Sequence, residues 1–164
     1  MEKDILEELY RKYYSGALLY CTALCADPPL AEDIVADAFV KAYLSLPDDV
    51  PSFQYWLLRV CRNLWLDHQR KNKWNAGSDA IPWIADHRTP ETIYLANEKQ
   101  YALWQAINSL SPADRELVVL HYFTGLPLHE IAAILGKSYA AIRQRLHRLR
   151  CTLKKQMEEQ GYGF

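Results

Sequence analysis

The chain has 164 residues, 50% hydrophobic and 24% charged, which allows one medium domain or two small helical ones. It holds no run of apolar residues long enough to span a bilayer, and its opening, MEKDILEELYRKYY, is charged and amphipathic rather than a secretory signal. The net charge of −1 does not by itself identify a partner, but its distribution does more.

Residues 1–50 carry ten acids and four bases, and residues 51–75 carry five bases and one acid. Residues 76–134 return to seven acids and three bases, and residues 135–164 close with seven bases and two acids. Two basic segments alternating with two acidic ones suit a polyanion held at two places while acidic faces meet another protein. Chance segregation in a small helical protein gives the same pattern.

The periodicity predicts an all-α fold of two small domains, 1–74 and 90–164, joined by a linker over 75–89. A first helix is expected from about Asp4 to Leu24, with Leu6, Leu9, Tyr13, Ala17, Tyr20, Cys21 and Leu24 roughly on one side. Asp27-Pro28-Pro29 breaks it. A second helix follows from about Leu30 to Leu46. Its inward set is Ile34, Val35, Ala38, Phe39, Ala42 and Leu46, and its outer face shows Asp33, Asp37 and Lys41. The turn Pro47-Asp48-Asp49-Val50-Pro51 ends it.

Ser52 is placed to cap a third helix reaching about Lys73. Phe53, Trp56, Leu57, Val60, Cys61, Leu64 and His68 form its inward stripe. Arg59, Arg62, Asn63, Arg70 and Lys73 lie opposite, with Tyr55 and Leu66 among them. Cations interleaved with aromatics suit a single nucleic-acid strand, where guanidinium groups meet phosphates and rings meet unstacked bases. An ordinary solvated helix face would read the same. The segment Asn75 to Thr89 has no clear period and is assigned to the linker, although Ile81, Trp83 and Ile84 suggest that it docks on something.

The second domain opens near Pro90, after Thr89, with a helix running to about Leu110. Ser111 caps the next helix, Asp114 stands where a capping box has its acid, and Gly125 stops it. Then comes LHEIAAILGKSYAAIRQRLHRLRCTL, residues 128–153. Two helical patterns flank the break Gly136-Lys137-Ser138. Ala132 is small where the helices would cross, and Gly136 permits a left-handed turn. In the second helix Ile142, Leu146, Leu149 and Leu153 make an apolar stripe, while Ala140, Gln144, His147, Lys154 and Lys155 lie opposite, flanked by Arg143 and Arg148. Six cations and no acid stand between Arg143 and Lys155. A helix that packs with one face and offers cations and hydrogen-bond donors with the other is what enters a DNA major groove. Arg145, beside the stripe, has two readings: a DNA contact, or an internal pair with Glu130.

Four cysteines, Cys21, Cys25, Cys61 and Cys151, make no CxxC pair. They read as reduced thiols, and the scattered histidines offer no metal-ligand spacing. No phosphate loop and no nucleophile-base arrangement occurs, so neither a cofactor nor a catalytic group is expected. Two rival readings stay open: a stand-alone dimeric helix-turn-helix regulator, and an all-helical metal enzyme using Cys21, Cys25 and His68.

Taken together, AEDIVADAFVKAYLSL with SFQYWLLRVCRNLWLDHQRK, and INSLSPADRELVVLHYFTGLPLHEIAAILGKSYAAIRQRLHRLRCTL, resemble regions two and four of the group-four, or extracytoplasmic function, sigma factors of bacterial RNA polymerase. The resemblance implies a cytoplasmic promoter-recognition subunit. Its partners would be core polymerase, through the beta-prime clamp and beta flap, promoter DNA, and an anti-sigma factor; no membrane insertion is implied. By the motif match, Asn63 falls where a flipped minus-ten base is read, with Arg59, Arg62 and Arg70 on the nearby strand. Asp33, Asp37 and Lys41 would face the clamp. Ser138, Tyr139, Arg143, Gln144, His147 and Arg148 would lie at the minus-thirty-five element, and Arg115 near its backbone. The chain departs from the family pattern at Ala36, where glutamine is usual, and at Lys137, where an apolar residue is usual. It also departs at His121, where arginine is common, and in the short acidic loop PDDVP.

Overall fold

The computed structural model describes residues 2–49, 52–75 and 98–162. Of the predicted linker, Asn75 is the last residue of the third helix, and the rest, with the Thr89-Pro90 helix start, lies outside those residues. The chain divides into two compact units, Met1–Pro82 and Trp83–Phe164. All regular structure among the described residues is helical. None of these helices is long and apolar enough to cross a membrane.

The first unit packs three helices, α1 (Lys3–Cys25), α2 (Pro28–Ser45) and α3 (Phe53–Asn75). α1 ends at Ala26, which takes a left-handed conformation at φ 54° and returns its N–H to the Thr22 carbonyl. The Asp27 carboxylate accepts from the Leu30 N–H at 3.3 Å, so the residues read as a break also open α2, with Pro28 and Pro29 in its first turn. There a proline's missing N–H costs nothing. Ser52 Oγ accepts from the Tyr55 N–H at 3.1 Å and starts α3.

The core of this unit joins Tyr20 and Cys21 of α1, Val35 and Ala38 of α2, and Leu57, Leu58 and Cys61 of α3. Each fully buried leucine contributes about 1.5–3 kcal/mol. Burial departs from the one-sided stripe in α1. Its second half is buried almost all round, from Ala17 to Ala23, while Leu6, Leu9, Tyr13 and Leu24 are only part-covered. Two neighbours, α2 and α3, both pack on α1, so no side of that segment is left for water. In α3, Leu58 joins the core, whereas Phe53, Trp56, Val60, Leu64 and His68 are half-buried. Trp56 stacks on Phe53 with centroids 6.1 Å apart, and Phe53 meets Tyr13 at 5.6 Å and Phe39 at 5.9 Å.

The second unit contains α4 (Glu98–Asn108), α5 (Pro112–Val118), α6 (Leu128–Leu135) and α7 (Tyr139–Glu159). Ser111 Oγ caps α5 by accepting from the Asp114 N–H at 3.3 Å. The helix does not run regularly to Gly125 as the sequence suggests. It widens into a π turn over Val119–Phe123, and the Thr124 N–H reaches back to the Val119 carbonyl. Gly125, at φ 73°, then turns the chain. The core holds Trp104 and Ile107 of α4, the run Leu117 to Leu120, Ile131 and Ile134 of α6, and a line along α7 of Ile142, Leu146, Leu149, Leu153 and Met157.

Candidate nucleic-acid interface

Gly136 ends α6 at φ 66°, and the Lys137 N–H closes on the Ala132 carbonyl at 3.0 Å. A side chain at position 136 would have room but would be strained by the positive φ. Ser138 Oγ then accepts from the Ala141 N–H at 3.1 Å and starts α7. These two devices set α6 and α7 against each other, with Ala132 buried beneath them. Because Ile142, Leu146, Leu149 and Leu153 face the core, the other side of α7 must face outward. Ser138, Tyr139, Arg143, Gln144, His147 and Arg148 are all exposed. Arg143, Gln144, His147, Arg148 and Arg150 line one open depression with Leu128 at its wall. No acid lines it. This surface can hold a phosphate backbone and offer amide and imidazole groups to base edges.

Arg115 and Arg145 lie apart from this set. Arg115 is 7% exposed, and its guanidinium donates to the Leu110 carbonyl at 3.3 Å. Burial lowers its affinity for its proton. The structure therefore places it under the surface rather than on the exposed face. Arg145 pairs with Asp114, Nε to Oδ1 at 2.5 Å, and not with Glu130. The Asp114 carboxylate that the sequence places in a capping box is thus used to tie α5 to α7. Arg150, which the sequence leaves unassigned, donates to the Tyr122 hydroxyl at 2.5 Å and lies 3.5 Å from His121 Nε2.

The first unit presents a second cationic face. Arg59, Asn63 and Arg70 are exposed along α3, and Arg62 is half-buried. The Arg59 guanidinium reaches the Tyr55 hydroxyl at 3.5 Å, which orients it along the helix. Arg70 is paired with Asp67 one turn back, at a site largely in water, so its hold is weak. Trp65 stacks on His68 with centroids 6.0 Å apart. Asn63 lies along the helix between Arg59 and Arg70 and is exposed.

On α2, Asp33, Asp37 and Lys41 are exposed, as their spacing predicts. The structure adds Val40, Tyr43 and Leu44, which are 56%, 50% and 73% exposed. Apolar residues three and four apart on an otherwise polar face are the signal that sequence reading passed over. Acids beside uncovered aliphatic groups make a surface suited to a protein partner rather than to DNA. His68, one ligand of the rival metal reading, meets Asn72 at 2.9 Å. Among the described residues, no group of three or more histidine, cysteine or acidic side chains is arranged to hold a metal.

Comparison with known proteins aligns with this division. The family model for sigma-70 region 2 matches residues 9–75, and that for sigma-70 region 4 matches residues 100–153. The chain is 29% identical to the ECF RNA polymerase sigma factor SigW of Bacillus subtilis, over 96% of this chain and 91% of that protein. It is 31% identical to the ECF RNA polymerase sigma factor SigE of Mycolicibacterium smegmatis, over 90% of this chain but 60% of the longer relative. In fold it is similar to the sigma factor RpoE of Bartonella quintana, solved in complex with the anti-sigma factor NepR. There the TM-score is 0.75 at 24% identity, covering 96% of this chain and 98% of the other. It is also similar to CnrH, solved with the cytosolic domain of CnrY, with a TM-score of 0.65 at 23% identity, covering 96% of this chain and 90% of the other.

Proposed function

Because this chain belongs to the sigma-70 family, as an RNA polymerase sigma factor of the extracytoplasmic function group, we propose how its residues divide the work of transcription initiation. Residues 1–74 act as the region-two domain, 75–89 as the linker and 90–164 as the region-four domain. The α7 face reads the minus-thirty-five duplex through Arg143, Gln144, His147 and Arg148, with Ser138 and Tyr139 at its leading end. Each good base contact there discriminates by about 1–3 kcal/mol. The α3 face takes the opened minus-ten strand, with Asn63 at a flipped base and Arg59, Arg62 and Arg70 on its phosphates. Unstacking a base costs a few kcal/mol, and capture on this face, with polymerase contacts, offsets that cost.

The acidic and aliphatic surface of α2, with Asp33, Asp37, Val40 and Leu44, docks on the polymerase clamp, and the second unit meets the flap. Arg115 acts in this scheme from below the surface, holding the Leu110 turn and hence the start of α5. The protein performs no bond chemistry of its own; synthesis belongs to the polymerase. It acts in the cytoplasm, where polymerase and promoter meet, and an anti-sigma factor that covers these faces would hold it inactive.

The observation that carries this reading is the pairing of two exposed cationic helix faces, one on each unit, with matches to regions 2 and 4 in that order. A stand-alone dimeric regulator has no use for the first of them. The test is transcription from a promoter library by purified core polymerase with and without the protein. The expected result is a set of transcripts that appears only with it, and co-elution of the chain with core enzyme. Failure to co-elute removes the reading.

A further inference from the structure

The π turn carries a cluster that the promoter-reading scheme does not use. Arg150 of α7 donates through Nε to the Tyr122 hydroxyl at 2.5 Å, and its guanidinium lies 5.8 Å from the Tyr122 ring centre. One terminal nitrogen is 3.5 Å from His121 Nε2. The His121 and Tyr122 rings meet edge to face at 4.6 Å. Arg150 and Tyr122 are both exposed.

His121 is awkwardly placed. An arginine only donates, so Nε2 must accept from Arg150, and the proton of a neutral ring then sits on Nδ1. Nδ1 is buried with no hydrogen-bond partner. Moving the proton to Nε2 would aim one donor at another. Each tautomer therefore leaves one ring nitrogen badly served. Burial and the neighbouring Arg150 charge disfavour protonation. An anion lying against Arg150 would relieve the Nε2 side, by accepting from Arg150, from the Tyr122 O–H and from a protonated Nε2 together, and would leave Nδ1–H as it is in the neutral ring.

We propose that Arg150, Tyr122 and His121 form a phosphodiester subsite at the edge of the helix-turn-helix face, in which His121 takes up one proton as the DNA backbone arrives. The inference deepens the promoter-recognition reading and rests on it. Arg150 lines the same open depression as Arg143, Gln144 and His147, so the subsite continues a surface already suited to duplex DNA. That continuity favours a backbone phosphate over a free anion. The segments packed against the turn carry Glu98 and Lys99 on α4 (whose Trp104 meets Phe123), Asp114, Arg115 and Glu116 on α5, His129 and Glu130 on α6, and Arg143, Arg145, His147, Arg148, Arg150, Lys154, Lys155, Glu158 and Glu159 on α7. Asp114 is held by Arg145. Arg150 is the charge among them that bears on His121.

Proton uptake makes DNA affinity fall as pH rises between the free and bound values of the histidine, by at most about tenfold per pH unit. The test measures promoter binding by the holoenzyme at about pH 6 and about pH 8 for the natural chain, H121R and H121N. The natural chain should bind more tightly at the lower pH. H121R, permanently charged, should bind with little pH dependence and outperform the natural chain at the higher pH. H121N should be weak at both. Histidine signals of the full chain, followed by NMR with a short duplex and with inorganic phosphate, place the effect on the residue: His121 should move to a higher titration point with either specific or unrelated duplex.

Equal pH dependence in H121N and the natural chain overturns the subsite while promoter-directed transcription persists. An equal response to inorganic phosphate at the same concentration overturns the assignment to the DNA backbone. Loss of promoter-directed transcription at every pH, with His121 unmoved by duplex, sinks the underlying reading and the subsite with it.

Discussion

Asn63 and Arg148 are exposed, so the specificity proposed for them would come at almost no structural cost. Neither touches the core of its unit, so replacing either by alanine should leave the fold within about 0.5 kcal/mol of its starting stability. Asn63→Ala should reduce open-complex formation, read by permanganate reactivity of the melted strand, far more than it reduces co-elution with polymerase. Equal loss of both would make Asn63 a structural residue. Arg148→Ala should weaken promoter binding and lower the magnitude of the salt slope by about 0.9 for each phosphate no longer neutralised; an unchanged slope takes Arg148 off the backbone. The cysteines divide by the same logic of exposure. Cys21, Cys25 and Cys61 are buried and Cys151 is exposed beside His147. Contact with Cys61, then burial, push the Cys21 thiol well up, and burial raises Cys25 to about 11. Only the thiolate attacks, so the Cys25 shift alone leaves about a hundredfold less of it near neutral pH. A thiol-specific reagent should therefore label the native chain quickly at Cys151 alone, and at the three inner thiols only after denaturation. Rapid labelling of Cys21 in the native chain would show that the first core opens.

At the scale of elements, the helix-turn-helix was legible in the sequence because its signals are local. Gly136, Ser138 and the stripe at 142, 146, 149 and 153 each act within one or two turns, and the structure realises all of them. The same holds for Ser52 and Ser111 as caps. What escaped is what depends on neighbours distant in sequence. The nearly all-round burial of Ala17 to Ala23 follows from two helices closing on α1. The choice of Asp114 over Glu130 for Arg145 follows from where α5 lands against α7. The π turn after Val118 leaves no mark in apolar spacing, since one extra residue per turn shifts the period too little to see in so short a helix. The cationic face of α3 was legible in the sequence, whereas the uncovered Val40 and Leu44 became noticeable only once the rest of α2 was seen to be packed. Two outcomes follow for the second unit. Ser138→Ala should cost about 1 kcal/mol by removing the cap, and Leu146→Ala about 2–5 kcal/mol by opening a cavity under the recognition helix. Thermal unfolding checks both, and a Leu146→Ala chain as stable as its parent would mean that α7 is not seated on this core.

For the molecule as a whole, the alternation of charge is more informative than the sum. A net charge of −1 hides two cationic faces, on α3 and α7, and an acidic one on α2. DNA approaching the free protein meets both signs, and the acids oppose the phosphates over roughly a Debye length, about 8–10 Å in ordinary salt. Covering the α2 surface with a protein partner removes that repulsion without altering any residue that touches DNA. Binding to polymerase and binding to promoter should then be cooperative. The isolated chain is expected to shift a promoter fragment weakly and with little sequence preference, while the same promoter is bound tightly and specifically by the chain with core enzyme. The double substitution Val40→Glu, Leu44→Glu separates the two functions. It adds charge where aliphatic groups already stand in water, so the helical fold should be kept by circular dichroism while co-elution with polymerase is lost. Promoter-directed transcription should vanish with it, although α7 and α3 are untouched. Tight, sequence-specific binding by the free protein, or full transcription from the double variant, would mean that the acidic helix does not serve as the hinge between partner and promoter.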